Sequence, residues 1–491
     1  MPERELKLSA PVDLRLPNVW VGGRTVVAGS WRYLDAVYYD TTDLRLARWG
    51  CSLRHRTDEG WSVTLPSAEA EGPQDCREVT FEGRWDQIPA GAQALVRSYA
   101  RHASLQQIAR LRTVRKPWSV IDASGRSVAE IVDDDVSTYR GVGPAGRFRE
   151  IGIEPAEEAD LRILEEIVSG LRAAGAGPVT RMSKLARALG RAVLQDADVV
   201  IAEPGENAGV GEIVEAAFAR SVRRFMVHMP AVQLGRDPEA LHQARVATRR
   251  LRSDLRTFGP LLDDQWVSSL RDELRWLGGS LGTVRDIDVL TLRLETTSEQ
   301  LPKTDRYPLH VIMTMLEAAR KRRRRALLEA TDQERYLDLL DRMVEAANAP
   351  RLLPPSEHAP REELLELVRA PFEWLRQTVL ELPGQPADAD LHRIRIRAKR
   401  VRYAAEAVAP MVGKKALRFA AAAAALQDTL GELQDAAVAH AWLDQAAQDH
   451  PAAAFAAGQL AGLELVRADA ARSGWGTPWQ ELSRDKLRSW M

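Results

Sequence analysis

The chain has 491 residues, 45% hydrophobic and 28% charged, the composition of a folding polypeptide too long for one core, so two to four domains are expected. Its 68 basic and 69 acidic side chains leave a formal charge of -1, so any binding of a charged partner must come from local patches and not from overall charge. Two cysteines, Cys51 and Cys76, without His or Cys at metal-site spacing, argue against a disulfide framework and a zinc site. The MPERELKL start and the lack of an apolar run near ~20 residues predict a cytoplasmic protein with no membrane partner.

From Met1 to about Ala192, short alternating runs separated by Gly, Pro and Asp predict strands: RELKLSA, CSLRHRT, WSVTLP, REVTFEG, WSVIDA, VAEIVDDDVSTY and FREIGIE. Helices are expected near Ala94 to Arg101, Glu157 to Ala174 and Met182 to Leu194. So many short strands point to a sandwich or barrel. Charges recur at alternating strand positions and so share a face: Glu3, Glu5 and Lys7; Arg54 and Arg56; Glu150 and Glu154, with Gly152 between. Such a face is either the solvated outside of a sandwich or the lining of a closed barrel that grips a phosphate chain and its metal ion.

Glu3-Arg4-Glu5-Leu6-Lys7 resembles the ExExK signature of the CYTH, or triphosphate tunnel, superfamily. Further motifs follow in that family's order: Leu53-Arg54-His55-Arg56, Arg77-Glu78, Arg110 to Arg115, Ala129-Glu130 with Asp133 and Asp134, Arg149 to Glu154, and Arg181-Met182-Ser183-Lys184. The resemblance implies an eight-stranded antiparallel tunnel, an α+β domain acting on triphosphates, such as tripolyphosphate or a nucleoside triphosphate, with Mg²⁺ or Mn²⁺. Carried over by position, it makes Glu3, Glu5 and Lys7 the catalytic residues and Glu3, Glu5, Glu150 and Glu154 the metal ligands. Arg54, Arg56, Arg112 and Lys184 become phosphate clamps. Two departures bear on activity. Pro66 follows Thr64-Leu65 where the family has a Lys, and Gly152 stands where it offers a third Glu. A metal-dependent triphosphatase and a tunnel that only binds are therefore both open readings.

DVVIAEPGENAGVGE, Asp198 to Glu212, marks a boundary. Residues 1–197 form the expected tunnel domain, 198–212 a linker and 213–491 an all-helical domain. Within the last, ALHQARVATRRLRSDLRTF places His242, Arg245, Arg249, Arg252 and Arg256 at steps of three and four, which one helix face collects into a ribbon of positive charge. LHRIRIRAKRVRYAAEA repeats this with His392, Arg395, Lys399 and Arg402. Leu281-Gly282-Thr283-Val284-Arg285-Asp286 likewise returns as Leu430-Gly431-Glu432-Leu433-Gln434-Asp435, so the domain is an internal duplication, about 213–350 and 358–475.

Four helices are expected in each copy: Ile213 to Val232, Pro238 to Leu262, Asp264 to Ser298 and Pro308 to Ala347, then Arg361 to Leu382, Leu391 to Val408, Lys414 to Gln448 and Ala452 to Ala471. Two pseudo-symmetric antiparallel four-helix bundles result. The apolar stripe Leu241, Ala244, Thr248, Leu251 and Leu255 adjoins the basic ribbon instead of opposing it, which predicts that the ribbon lines a groove. Unpaired like charges one turn apart repel, so either an anionic ligand or internal Asp and Glu partners must offset them. Arg285, Asp286 and Asp288 are read as internal ion-pair formers, and Lys321 to Arg325 as a supplementary contact at most.

The duplicated His with stepped cations and the Leu-Gly-x-x-Arg-Asp element resemble the CHAD domain, which commonly follows a CYTH domain in one chain. That resemblance implies binding of inorganic polyphosphate and association with polyphosphate granules. Polyphosphate has only oxygens to recognise, which Arg donor forks suit. Nucleic acid is disfavoured because the ribbons lack interleaved aromatics for stacking. A basic helix lying on a membrane is disfavoured because the adjoining apolar stripe is needed in the core.

Overall fold

The computed structural model describes residues 6–15, 24–66, 76–122, 124–141, 143–156, 161–180, 182–205, 208–302, 309–354 and 361–491. Glu3 and Glu5 lie outside them. The chain divides into two compact units, Met1–Asp198 and Val199–Met491.

In the first unit the strands are β1 (Leu6–Ala10), β2 (Thr25–Ala28), β3 (Arg32–Asp40), β4 (Ser52–Arg56), β5 (Gly60–Pro66), β6 (Cys76–Phe81), β7 (Gln106–Ile121), β8 (Ser127–Arg140) and β9 (Gly143–Pro155). Eight of them run in the order β1-β9-β8-β7-β3-β4-β5-β6, and β2 pairs separately with β7. Every described pairing is antiparallel. The helices are α1 (Arg45–Arg48), α2 (Ala90–Ala100), α3 (Leu161–Ala173) and α4 (Lys184–Leu189).

Two helices sort the sheet's faces. Leu164, Ile167 and Leu171 of α3 bury themselves with Leu8, Ile131, Ile151 and Ile153 on one face, each large side chain contributing about 1.5–3 kcal/mol. On the other, Leu185 and Leu189 of α4 pack against Ala36, Tyr38, Ala109, Leu111 and Val136. Cross-strand register assigns this second, inner face unambiguously, because directly paired residues point the same way. Tyr38 pairs with Arg54 and Arg54 with Ser62; Arg115 pairs with Asp134, Asp134 with Glu150 and Glu150 with Ser9.

The second unit is helical: α5 (Val210–Leu234), α6 (Pro238–Thr257), α7 (Asp264–Ser298), α8 (Leu309–Thr331) and α9 (Glu334–Asn348), then α10 (Arg361–Leu380), α11 (Asp388–Val412), α12 (Lys414–Asp449), α13 (Ala454–Gly474), α14 (Gly476–Leu482) and α15 (Asp485–Arg488). The ribbon helix α6 starts where Asp237 accepts from the Glu239 amide at 2.9 Å and Pro238 occupies a position whose missing N–H costs nothing. It stops at Thr257, ahead of Gly259-Pro260, sooner than the expected Leu262. The single helix expected from Pro308 to Ala347 is two. Gln333 is extended, and α9 returns on α5, burying Tyr336, Leu337 and Leu340.

The two copies are not closed off from each other. Ile287, Leu290 and Leu294 of α7 and Ile312 and Leu316 of α8 share one core with Ala439 and Leu443 of α12 and Ala457 and Leu460 of α13. Helices α6 and α11, the two ribbon carriers, also touch directly.

Candidate functional site

On the inner face of the first unit, a short stretch brings α4 into place. The Gly177 and Thr180 amides donate to the Ser9 and Lys7 carbonyls at 2.8 and 2.7 Å, so the segment before α4 runs along the free edge of β1. Ser183 Oγ then caps α4 by accepting from the Ala186 amide at 3.1 Å. Lys184 is thereby fixed at the first turn, where the helix dipole disfavours a cation, and two carboxylates compensate. Its Nζ lies 2.7 Å from Asp134 and 3.1 Å from Glu150. Arg115 grips Asp134 at 2.9 and 2.8 Å, and Arg187 reaches Glu150 at 3.3 Å.

Asp134 and Glu150 are each 2% exposed, and three cations, Arg115, Lys184 and Arg187, meet them there. Burial pushes the Asp134 carboxyl up, but Arg115 and Lys184 outweigh it and hold it below the usual range. Burial likewise pushes the Lys184 amine down, and Asp134 and Glu150 more than reverse that.

Further along the face, Arg54 donates to Ser62 at 3.0 Å and to Glu78 at 2.8 Å, and Arg56 to Asp58 at 2.6 Å. Lys7 pairs in register with Gly152, next to Glu150. Arg112 departs from expectation. It pairs in register with Asp35, points to the opposite face and lies 3.4 Å from the Asp35 carboxylate. Strand parity is the reason, since Arg112 and Arg115 are an odd number of residues apart. Arg115, Arg187 and Asp134, absent from the expected site, are the inner-face groups that join Lys184 and Glu150.

These placements bear on a divalent ion. Among the described residues no group of three or more His, Cys, Asp or Glu side chains is arranged to hold a metal. Glu150 is already neutralised by Lys184 and Arg187. Glu154 is exposed and stands directly across from Glu130 on the same face. The described residues therefore do not complete a metal site through Glu150.

In the second unit, the expected ribbons converge. The cations that act most strongly on Lys399 of α11 are Arg249 of α6, Arg395 of its own helix, and Arg245 and Arg252 of α6. Burial first, and then those four charges, push the Lys399 amine down to about 7. Burial also lowers Arg256 to about 10, reinforced by Arg271, Arg400, Arg252 and Arg275. Arg249 is lowered by burial, opposed by Tyr403 and reinforced by Arg245, Arg402 and Arg395. Two stepped residues of α7, Arg271 and Arg275, thus add to the cations gathered where α6 and α11 meet. Their i,i+4 spacing was the sequence signal for them.

Some of the cations are balanced. Arg245 bonds Asp286 at 2.6 Å, and Arg402 bonds Glu406 at 2.8 Å, while Arg250 is shared between Glu406 and Asp254. Asp288 pairs with Arg320 at 2.7 Å, so Asp286 and Asp288 are internal partners as expected. In the Lys321 to Arg325 run, Arg324 donates to the Val232 and Gln233 carbonyls at 3.0 and 2.7 Å and so caps α5.

Among the described residues, Arg249, Arg252, Arg256, Arg271, Arg395, Lys399 and Arg400 have no carboxylate within ion-pair distance. The buried Nε atoms of Arg249, Arg271, Arg395 and Arg400 have no hydrogen-bond acceptor either. His242 is half-buried at the groove and held below its usual pKa by burial and Arg285, whereas His392 is exposed.

The repeated Leu-Gly element has a matching role in both copies. A side chain on Gly282 would stand 3.6 Å from the Arg245 guanidinium, and one on Gly431 would stand 3.6 Å from that of Arg395. Each glycine gives its arginine a flat helix surface to lie on.

Residues 1–185 match the CYTH domain and residues 216–444 the CHAD domain. Two proteins of Mycobacterium tuberculosis, uncharacterized protein MT2285 (strain CDC 1551 / Oshkosh) and uncharacterized protein Rv2226 (strain ATCC 25618 / H37Rv), are each 32% identical over 453 residues, covering 84% of this chain and 82% of theirs. Among solved structures, the CHAD domain from the plant Ricinus communis is 28% identical with a TM-score of 0.46, covering 57% of this chain and 95% of its own. PptA from Streptomyces chartreusis is 24% identical with a TM-score of 0.47, covering 55% and 99%. No helix among the described residues is long and apolar enough to cross a membrane. The chain, an antiparallel sheet domain followed by a helical one, belongs to the CYTH–CHAD family, with both domains in one polypeptide.

Proposed function

We propose that the helical domain binds inorganic polyphosphate along the groove between α6, α7 and α11. The observation that carries this reading is the set of seven groove cations without a carboxylate partner, Lys399 among them. Charges that repel one another, and that add to burial in lowering the Lys399 pKa, are stabilised by an anion that reaches all of them at once. A flexible phosphate chain does so, with two oxygens per unit for Arg and Lys donors. His242, Arg245, Arg249, Arg252, Arg256, His392, Arg395, Lys399 and Arg402 belong to this surface, together with Arg271, Arg275 and Arg400. Association with polyphosphate granules is the corresponding cellular expectation.

The test is binding of long-chain polyphosphate and of single-stranded DNA to the full chain at several salt concentrations. By analogy with nucleic acids, affinity for polyphosphate should fall by roughly 10³ between about 50 and about 200 mM salt. Equal affinity for both polymers would replace the assignment with generic polyanion binding.

A second reading, metal-dependent hydrolysis of tripolyphosphate or chain ends by the CYTH domain, is favoured by Lys7, Arg54, Arg56 and Arg115 sharing one sheet face with Glu150 and Glu154. There Mg²⁺ or Mn²⁺ would neutralise the phosphate oxygens, and Glu3, Glu5 and Glu154 would hold the ion. Lys7, Arg54, Arg56 and Arg115 would orient the phosphates. Phosphate release from tripolyphosphate that disappears in Glu5→Ala supports hydrolysis, and no release from the unaltered protein discards it.

A further inference from the structure

Tyr403 is an aromatic side chain at the α6–α11 crossing that the phosphate reading does not use. It is 5% exposed, and its hydroxyl is buried with no hydrogen-bond partner. Guanidinium carbons of Arg249, Arg250 and Arg402 lie 5.8, 5.6 and 5.8 Å from its ring centroid. These three arginines differ in what they are free to do. Arg250 and Arg402 are spent on Asp254 and Glu406, whereas Arg249 has no carboxylate and its Nε is also buried without an acceptor.

Lys399 precedes Tyr403 by one helical turn, so both side chains project from one face of α11, and Arg249 is the strongest charge acting on that lysine. Three donors thus belong to the α6–α11 crossing: the Tyr403 hydroxyl, Arg249 Nε and Lys399 Nζ. None has an acceptor among the described residues. A buried donor without an acceptor is unfavourable, so two of them on the helices that carry an unpaired amine mark a place where an acceptor belongs.

The feature is confined to one copy. At the equivalent position of the duplication the first copy carries Ser253, on α6, which cannot reach as far. The groove is therefore asymmetric, with one position that can hold a phosphoryl group by a neutral donor as well as by charge.

We propose that Tyr403, Arg249 and Lys399 form a discrete phosphoryl-binding subsite at the crossing of α6 and α11, in which the phenol hydroxyl donates to a non-bridging phosphate oxygen; this rests on the reading of the groove as a phosphate-chain site. The Arg249 guanidinium lies over the phenol in the free protein. A phosphate group that draws the guanidinium toward itself uncovers the hydroxyl and gives both donors their acceptor. The rest of the groove holds the chain by charge alone, and this subsite fixes its register.

The experiment compares the full chain with Tyr403→Phe, Arg249→Lys, their combination and Arg256→Gln, using tripolyphosphate and long-chain polyphosphate as probes in calorimetric titrations at several salt concentrations. Tyr403→Phe removes one hydrogen bond to an anion and no charge. It should weaken binding about tenfold, leave the salt slope unchanged, and leave the unliganded melting temperature the same or higher because an unsatisfied hydroxyl is gone. Arg256→Gln should instead lower the salt slope. The double variant should lose less than the product of the single losses, because both donors serve one oxygen.

If the unaltered protein binds and Tyr403→Phe binds equally well, the subsite is overturned while the groove stands. If neither probe binds the unaltered protein, the groove reading itself has failed, and the subsite with it. Additive losses in the double variant would also overturn the shared phosphoryl position.

Discussion

Under the proposed function, Lys399 makes phosphate-chain binding a proton-linked event. Its ordinary value is 10.5 and the free protein holds it at about 7, through burial and then the charges of Arg249, Arg395, Arg245 and Arg252. At about 1.36 kcal/mol per pH unit, this displacement represents at most roughly 5 kcal/mol, reduced by water reaching the half-buried amine. A phosphate chain alongside reverses the local potential and returns the lysine toward its ordinary value. Between about 7 and 10.5 the complex then carries a proton that the free protein lacks, so affinity falls as pH rises, by at most tenfold per pH unit, or ~100-fold from pH 7 to 9. Below 7 the profile flattens until His242, held below 6.5, begins to charge. Arg256, lowered to about 10, adds to the slope only near the upper end of this window, so the lysine's share is read between about 7 and 9. The sign for stability is opposite: the unfolded lysine holds its proton up to 10.5 and the folded one does not, so the free protein gains stability as pH rises from 7. Titration calorimetry at fixed ionic strength near pH 8, in buffers of different ionisation enthalpy, counts the protons taken up. Lys399→Arg should remove both the uptake and the slope. No uptake at pH 8, or an identical slope in Lys399→Arg, would refute the coupling.

The remaining expectations concern groups whose placement differs between the two faces or two copies. Lys184→Met leaves Asp134 and Glu150 with too few cations and should destabilise the CYTH domain by about 3–5 kcal/mol, read as a lower first transition in thermal unfolding of the full chain. Arg115→Ala should weaken tripolyphosphate binding by that domain while Arg112→Ala leaves it unchanged, because only Arg115 faces inward; equal losses in a direct titration would reverse that assignment. Gly431→Ala should be tolerated, whereas Gly431→Leu should lift Arg395 off α12 and weaken polyphosphate binding about as much as Arg395→Ala does, with circular dichroism confirming intact helices.

What the sequence disclosed follows from which signals are periodic. The ribbons were legible because a helix repeats every 3.6 residues and a cation at each step must share a face, and the duplication was legible because two landmarks recur in order. Strand β3 was not anticipated, although Leu34, Ala36, Tyr38 and Asp40 alternate inward, since its exposed Tyr33 and ionic Asp35 break the apolar pattern and its partners are distant in sequence. Arg112 was placed on the wrong face for a related reason. A motif identifies a basic strand, but only register decides which of its arginines points inward, and register is a tertiary property. The consequence of Lys184 was hidden likewise: Ser183-Lys184 reads as a helix start, and nothing in that string says that the helix ends on Glu150.

The duplicated domain shows most clearly what folding adds. Two like ribbons in sequence could serve as two equal sites on two bundles. Contact between α6 and α11 makes them opposite walls of one groove, and α7 supplies further cations through Arg271 and Arg275. Symmetry then breaks in detail. Arg245 is neutralised by Asp286 at 2.6 Å, while the corresponding Arg395 keeps a buried Nε without an acceptor, and Ser253 corresponds to Tyr403. In the other direction Arg402 is paired with Glu406 while the corresponding Arg252 has no carboxylate, so the uncompensated cations fall on both copies, Arg249, Arg252, Arg256 and Arg271 in the first and Arg395, Lys399 and Arg400 in the second. Duplication supplied the cations in register, and under the proposed function the divergence at Tyr403 sets where along the two helices a phosphate chain is held most firmly.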